Sequence, residues 1–363
     1  MKILIVQDYL RSGGTERQTI LLANAFAKAE HDVTLITFRP SGPLAANLAA
    51  EVVHHPLQSF DTHLDWFAPG LSTLTKKIIP DIVLCMGRMA NCYGHAFVNA
   101  ARHRWPNTAV IGTMRTGKKL PWLFRHSLRK SHHIAANSRA AKVTLLNDHS
   151  IPEDKITVIH NSLVFPANVS NSERKTLRAK YGADAQTTVM LDVAMFRREK
   201  NQRELIVIAA GLPARFKWQL WLAGVGPELD RCRRCARELG VADKVRFLGF
   251  TKDPTPLYAS ADIAIHTSKS ESLSNFLIEA QAHGLPVVAY AAQGVDECFL
   301  PGDTGEVIQF GDQASFRTMI IKLAAPDPAR SERARIFAHT TFDQSQQVQS
   351  YLNLFAQLAT PGS

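Results

Sequence analysis

Several devices that would assign a function at once are missing. No Asp-x-Asp pair occurs anywhere in the 363 residues, so a metal held by that device is not expected. No stretch approaches the roughly 18 consecutive apolar residues of a membrane-spanning helix. The apolar run of the N-terminus, MKILIVQDY, meets Asp8 too early for a signal peptide. Cysteine is scarce: five residues (Cys85, Cys92, Cys232, Cys235, Cys298), odd in number and scattered, argue for a reducing compartment and against a disulfide framework. Cys232 and Cys235 form a CxxC without a second pair, in a run, RCRRCAREL, that reads as an exposed basic helix, so zinc is not expected. Gly224 lacks the G-x-G-x-x-G spacing of a dinucleotide fingerprint, which counts against an NAD enzyme. No short-period repeat is visible. A cytosolic protein, at most peripheral to a membrane, is expected.

Acid is in deficit too. Lys and Arg number 42 against 32 Asp and Glu, a formal charge of +10, which favours an anionic partner: nucleic acid, an acidic membrane or a phosphorylated small molecule. Hydrophobic content of 45% and charged content of 20% are globular values, and the length suits two domains.

What is present is alternation. Lys2 to Val6 reads as a buried strand, Arg11 to Thr15 as a loop, Glu16 to Ala29 as a helix and His31 to Thr37 as the next strand; Asp81 to Met86, Thr108 to Gly112, Ile134 to Ser138 and Lys155 to Asn161 continue the series. This predicts a doubly wound α/β domain over 1–164, with ligands at the C-terminal strand edges. Periodicity fails in the Pro/Asn/Ser-rich stretch Leu163 to Asn171, the expected linker. A second array over 172–340 runs through Thr187 to Phe196, Trp218 to Ala223, Val245 to Phe247, Asp262 to His266, Pro286 to Tyr290 and Glu306 to Ile308, and a helical pattern, Phe342 to Ala359, dominates 341–363.

The richest stretch is SKSESLSNFLIEAQAHGLPVV, Ser268 to Val288: a polar loop after a buried strand, then a helix that stops at Gly284 and Pro286. Ser272, Ser274 and Asn275 are N-cap candidates there, and a helix start is an anion site suited to phosphate. Glu279 lies four residues beyond Asn275, and helical side chains lean toward the N-terminus, so its carboxylate reaches toward the same site. Glu271 meets a ligand from the other end of the loop. As a bare pair, two Glu at this spacing carry little; set in strand, serine-rich loop, helix and Gly-Leu-Pro-Val-Val, they carry much more.

At this point the sequence resembles the GT-B glycosyltransferases of family 4, whose C-terminal domain has two Glu with seven residues between them, matched by Glu271 and Glu279, and a Gly-x-Pro-Val-Val strand, matched by Gly284 to Val288. The resemblance implies two Rossmann-like domains facing across a cleft, with the C-terminal helix crossing back to the first. It implies a retaining, metal-independent enzyme that takes a nucleotide-diphosphate sugar, UDP-linked by expectation, and needs no cofactor. It places Glu271 near the sugar hydroxyls and Glu279 on the ribose diol, with Ser272, Leu273, Ser274 and Asn275 between them. Lys200-Asn201 matches the family's Lys-Gly/Asn pair on the donor diphosphate. The Arg usual five residues before that Lys is Met195 here, so its role passes to Arg197. Leu222 to Pro227 (LAGVGP) matches a Gly-x-Gly-Pro turn containing Gly224, and Leu248 to Phe250 the loop near the nucleobase; as bare motifs both are weak. In the first domain Gly13 and Gly14, within GGTE, match a Gly-Gly-x-Glu loop facing donor and acceptor, though a plain tight turn is the other reading. Arg115 stands where many relatives carry a His, and Arg cannot act as a base at neutral pH. VIHNS resembles a strand ending in Asn-Gly, with Ser162 in place of Gly.

Arg115 to Lys130 (RTGKKLPWLFRHSLRK) has six cations, no acid, and interleaved Leu120, Trp122, Leu123, Phe124 and Leu128. It reads either as a membrane-surface element or as a half-buried helix with a solvated basic face. The expected acceptor is a glycolipid or growing polysaccharide at the cytoplasmic membrane face. The alternatives are a same-fold epimerase or phosphorylase, for which no second phosphate site is found, and a basic nucleic-acid binder, for which no recognition motif is visible.

Overall fold

The structure, a computed structural model, describes all residues except 12, 41, 106, 164, 166–169 and 360–363. Ser12 of the first glycine loop and most of the expected linker therefore lie outside the described residues. The chain forms two compact units, one of Met1–Ser162 with the C-terminal stretch from Gln344, the other of Leu163–Asp343.

The first unit is built on a parallel sheet of β1 (Lys2–Gln7), β2 (Asp32–Thr37), β3 (Val53–Pro56), β4 (Ile82–Cys85), β5 (Ala109–Met114), β6 (His133–Ala136) and β7 (Ile156–Val158). Their order is β3-β2-β1-β4-β5-β6-β7. Helices cover both faces, so β1, β4 and β5 read as unbroken apolar runs rather than alternating ones. Ile3, Ile5, Leu84 and Ile111 pack on one face; Leu4, Val6, Val83 and Val110 pack on the other.

The helix Gln344–Ala359 belongs to this unit and starts two residues later than the sequence pattern suggests, because Phe342 ends the preceding helix and is buried in the second unit. Tyr351, Leu354 and Phe355 are buried with Phe26, whose ring lies 5.4 Å from that of Phe355. Gln347 is buried as well. Its Nε2 donates to the His160 carbonyl (2.6 Å) and its Oε1 accepts from the Ser162 hydroxyl (2.7 Å). Ser162, which stands in for a glycine, thus has a task of its own: its hydroxyl ties the end of the sheet to the returning helix.

The second unit repeats the plan with β8 (Thr188–Val193), β9 (Trp218–Ala223), β10 (Val245–Gly249), β11 (Ile263–His266), β12 (Val287–Tyr290) and β13 (Gly305–Ile308), in the order β10-β9-β8-β11-β12-β13, all parallel. The strand order reverses between β8 and β11, and ligands of such sheets bind beyond the carboxyl ends of the strands at that switch. Asp262, at the opposite end of β11, accepts from Arg174 (2.7 Å), Arg178 (2.9 Å) and the Val189 N–H (2.8 Å), fixing the helix Asn171–Lys180 to the sheet.

One local expectation needs correction, and one pair of alternatives is narrowed. The helix Leu229–Glu238 carries its arginines outward, but Cys232, Cys235 and Ala236 are buried against the sheet, so the CxxC is a pair of core thiols rather than part of an exposed helix. Of the 115–130 segment, residues 122–130 are helical, and Leu120, Phe124 and Leu128 are core residues. Trp122, 69% exposed, is the large apolar side chain of that segment left on the surface.

Candidate functional site

Two loops leave the sheet at the switch of the second unit, residues 194–201 after β8 and 267–274 after β11, and backbone contacts stitch them together. The Lys269 N–H donates to the Glu199 carbonyl (2.7 Å), the Ser268 hydroxyl to the same carbonyl (3.1 Å) and the Thr267 hydroxyl to the Asn201 carbonyl (3.0 Å). Asn201 adopts φ +57°, a left-handed conformation open to Gly and Asn, and so lets the chain turn directly into the helix Gln202–Ala210.

This turn delivers Lys200 to Glu271, with Nζ 2.5 Å from Oε1. Behind the pair lies a contact the sequence did not announce. His266, at the end of β11, places Nε2 2.8 Å from the same Glu271 oxygen and Nδ1 3.0 Å from Asp192 Oδ1 on β8. The four groups form a line, Asp192, His266, Glu271, Lys200. Burial works to raise the Glu271 pKa, but Lys200 and His266 outweigh it and hold the carboxyl down at about 2. Burial likewise opposes charge on His266, and the bonds to Asp192 and Glu271 overcome that and raise its pKa.

Neither His266 nor Asp192 was marked as functional by sequence. Each ends or interrupts an apolar run, IAIH and TVMLDV, and a polar residue in a run otherwise buried on both faces is the signal that could have found them.

The helix that follows, Asn275–Ala282, begins beside this pair with Ser274 as N-cap residue. The Ser274 side chain makes no cap bond, and its N–H lies 3.4 Å from the Cys298 sulfur. The first turn of any helix leaves backbone N–H groups without intrahelical acceptors. Ser272 and Ser274 are buried, Asn275 is half-buried and Leu273 is a core residue, so Leu273 can offer a ligand only its backbone. Glu279 is half-buried one turn on and accepts from the Tyr258 hydroxyl (2.5 Å), a second partner the sequence did not single out.

Arg197 is exposed in the β8 loop and makes no ion pair among the described residues. Gly224 approaches the same loop from β9. With φ +141° and a would-be Cβ only 2.0 Å from the Ala194 carbonyl oxygen, the position admits no side chain. Its N–H donates to the Gly249 carbonyl (2.7 Å), next to Phe250, which is 58% exposed at the carboxyl end of β10. Lys200, Arg197, Gly224, Phe250, Glu271 and residues 272–275 thus all belong to loops or helix starts after the carboxyl ends of β8, β9, β10 and β11.

The remaining expected residues belong to the first unit. Gly13 precedes the helix Gly14–Lys28 as its cap residue without a side-chain bond. Arg115, just beyond β5, donates to Asn161 Oδ1 and lies 3.5 Å from the Tyr351 hydroxyl, and burial lowers its pKa. Asp8, at the end of β1, accepts from the backbone of Met89 (2.9 Å) and Ala90 (2.7 Å); burial pushes its pKa up to about 6 against those bonds. Among the described residues no group of three or more His, Cys, Asp or Glu is placed to hold a metal ion, and no helix is long and apolar enough to cross a membrane.

Comparison with known proteins points one way. Residues 173–337 match the family model for glycosyl transferases group 1, and residues 12–163 that for glycosyltransferase family 4. A lipopolysaccharide core biosynthesis glycosyltransferase, LpsE, of Rhizobium meliloti is 31% identical over 182 residues, 49% of this chain and 53% of that protein. The N-acetyl-alpha-D-glucosaminyl L-malate synthase of Bacillus anthracis is 25% identical over 64% of this chain and 61% of its own. The chain thus spans between about half and three-fifths of these relatives' length. Among solved structures, Anabaena Alr3699/HepE in complex with UDP-glucose superposes with a TM-score of 0.82 at 22% identity, over 98% of this chain and all of that one. WaaG, a glycosyltransferase involved in lipopolysaccharide biosynthesis, gives 0.72 at 18%, over 97% and 99%. The fold is the GT-B fold expected from sequence.

Proposed function

The chain has the GT-B fold and is related to the group 1 and family 4 glycosyltransferases, and from that premise we propose that it moves a hexose from a UDP-sugar to a glycolipid or polysaccharide acceptor of the cell envelope. The observation that carries this reading is the Lys200–Glu271 pair at the β8/β11 switch, beside the start of the helix Asn275–Ala282. A diphosphate there would meet Lys200, the exposed Arg197 and the helix N–H groups, which together offset the charge that develops as the nucleotide leaves. No metal is needed for that role. Glu271 then holds the sugar hydroxyls, and Glu279, braced by Tyr258, the ribose diol; Gly224 lets backbone approach the ligand and Phe250 flanks the base.

UDP as the donor nucleotide takes support from the UDP and UDP-glucose complexes of HepE, and the envelope acceptor from the lipopolysaccharide roles named for LpsE and WaaG. In the chemistry we propose, the C1–phosphate bond breaks, the acceptor oxygen bonds to C1 from the same face, and its proton passes to the departing diphosphate, with retention of configuration. The first unit takes the acceptor, near Gly13, Gly14 and Arg115. The segment 118–130, in which Trp122 and the cations Lys118, Lys119, Arg129 and Lys130 are exposed, suits peripheral contact with an anionic cytoplasmic membrane surface.

A thermal-shift panel of UDP-, GDP-, ADP- and CMP-sugars tests the donor. Ligand at 100 times its dissociation constant adds about 2.7 kcal/mol of stability. Stabilisation by the UDP members, lost in Lys200→Ala, is the expected result; no response to any nucleotide would remove the reading.

A further inference from the structure

We propose that His266 is a positioning residue: clamped between Asp192 and Glu271, it is the internal counter-ion that keeps Glu271 anionic and aimed at the donor once Lys200 has left Glu271 for the diphosphate. The inference rests on the donor reading above and extends it to two residues which that reading does not use.

The argument begins with proton counting. Carboxylate oxygens lie 3.0 Å from Nδ1 and 2.8 Å from Nε2 of one ring. A neutral imidazole has a single N–H, so one of these contacts would set a lone pair against a lone pair. Both become hydrogen bonds if the ring carries two protons. The other solution, a proton on a carboxyl, is disfavoured at Glu271 because Lys200 sits on that same Oε1 at 2.5 Å. His266 is 1% exposed, so water cannot serve in place of either partner. The groups facing it are Asp192 from β8 and Glu271 from the loop after β11; Lys200 and the Cys298 thiol lie beyond Glu271, and the Phe276 ring, 5.5 Å away, forms an apolar wall.

In the resting chain Glu271 therefore has two cations on one oxygen, which is more than a single carboxylate requires. The surplus has a use when donor binds. Lys200, 25% exposed, is the member a ligand can reach, and a diphosphate with at least two charges draws its ammonium away. Glu271, 8% exposed, would then be a buried carboxylate without a partner and would take up a proton or turn aside. The imidazolium, fixed from behind by Asp192, remains in place and prevents both. Burial works against charge on His266 and its two bonds prevail, in the direction this role needs.

The decisive measurement is 15N NMR of the His266 ring at pH 7.5, assigned by difference with His266→Gln, in the wild type and in Lys200→Ala, which mimics the departure of the lysine. Imidazolium shifts in both proteins are expected; a neutral ring in Lys200→Ala overturns the proposal. UDP added to the wild type supplies the same test with a ligand. If UDP does not bind, the donor reading fails, while the free-protein spectra still decide the charge on His266.

Kinetics give the second readout. His266→Gln keeps an N–H donor but carries no charge. It should bind UDP within about threefold of wild type, hold its donor KM, and move the acid limb of kcat upward by one pH unit or more. Asp192→Asn, which keeps an acceptor on Nδ1, should move the limb the same way. Activity that falls equally at every pH, in step with melting temperature, would reduce the line to a structural ion cluster and overturn the proposal.

Discussion

Glu271 and His266 titrate in opposite senses, and together they define a pH window for stability. The Glu271 pKa is lowered in the folded state to about 2 from an ordinary 4.5, so its contribution is present above 4.5 and is lost as pH falls through about 2. The His266 pKa is raised, so its contribution is complete below 6.5 and is lost as pH rises through the raised value. Both terms are at full strength between about 4.5 and 6.5. Urea midpoints should therefore fall on acidification below 4.5 and on alkalinisation from about 6.5 up through the raised His266 value, and the alkaline loss should shrink in His266→Gln. An alkaline limb equal in variant and wild type would mean that another group governs it. Lys200→Ala and Glu279→Ala, by contrast, should each weaken UDP binding by about tenfold while leaving the fold intact, since both side chains are only partly buried; calorimetric titration with UDP reads this directly.

At the scale of elements, the loops after β8 and β9 are locked by a close approach rather than by side chains. Gly224→Ala forces a left-handed residue to carry a Cβ into the Ala194 carbonyl and should cost more than about 1 kcal/mol of stability, with a weaker UDP site because the β8 loop carries Lys200. Chemical denaturation and UDP titration of the one variant measure both effects; an unchanged midpoint would show that the loop relaxes freely. Gly224 was legible in sequence because its motif is local, and so were the strands that are short apolar runs between turn signals; β3, with the sequence VHHP, has no such run and was not anticipated. His266 was not. Its partners lie 74 and 5 residues away, and only the crossover that sets β8 beside β11 makes Asp192 its neighbour. Arg115 was placed correctly past a strand end, yet one of its contacts is Tyr351, 236 residues on, which no local pattern foretells. Charge likewise hid burial in RCRRCAREL: five polar positions dominate the reading, while the three small residues that face the sheet share one side of the helix.

For the whole molecule, the consequential feature is that the chain leaves its first unit after Ser162 and completes it only from Gln344. The returning helix contributes Tyr351, Leu354 and Phe355 to the core around Phe26 and closes the polar contacts of Gln18, Ser162 and Gln347. Three large buried side chains stabilise by about 1.5–3 kcal/mol each. Their sum is of the same order as the roughly 5–15 kcal/mol that holds an entire domain folded. A chain ended after Asp343 should therefore lose the cooperative transition of the first unit, whereas the second, whose two apolar clusters draw on residues 163–342, should still melt as a unit and still bind UDP through Lys200 and Glu271. Differential scanning calorimetry with and without UDP separates the two. Two intact transitions after truncation would mean that the first sheet holds together without its last helix, and loss of both would mean that the second unit does not fold without the first.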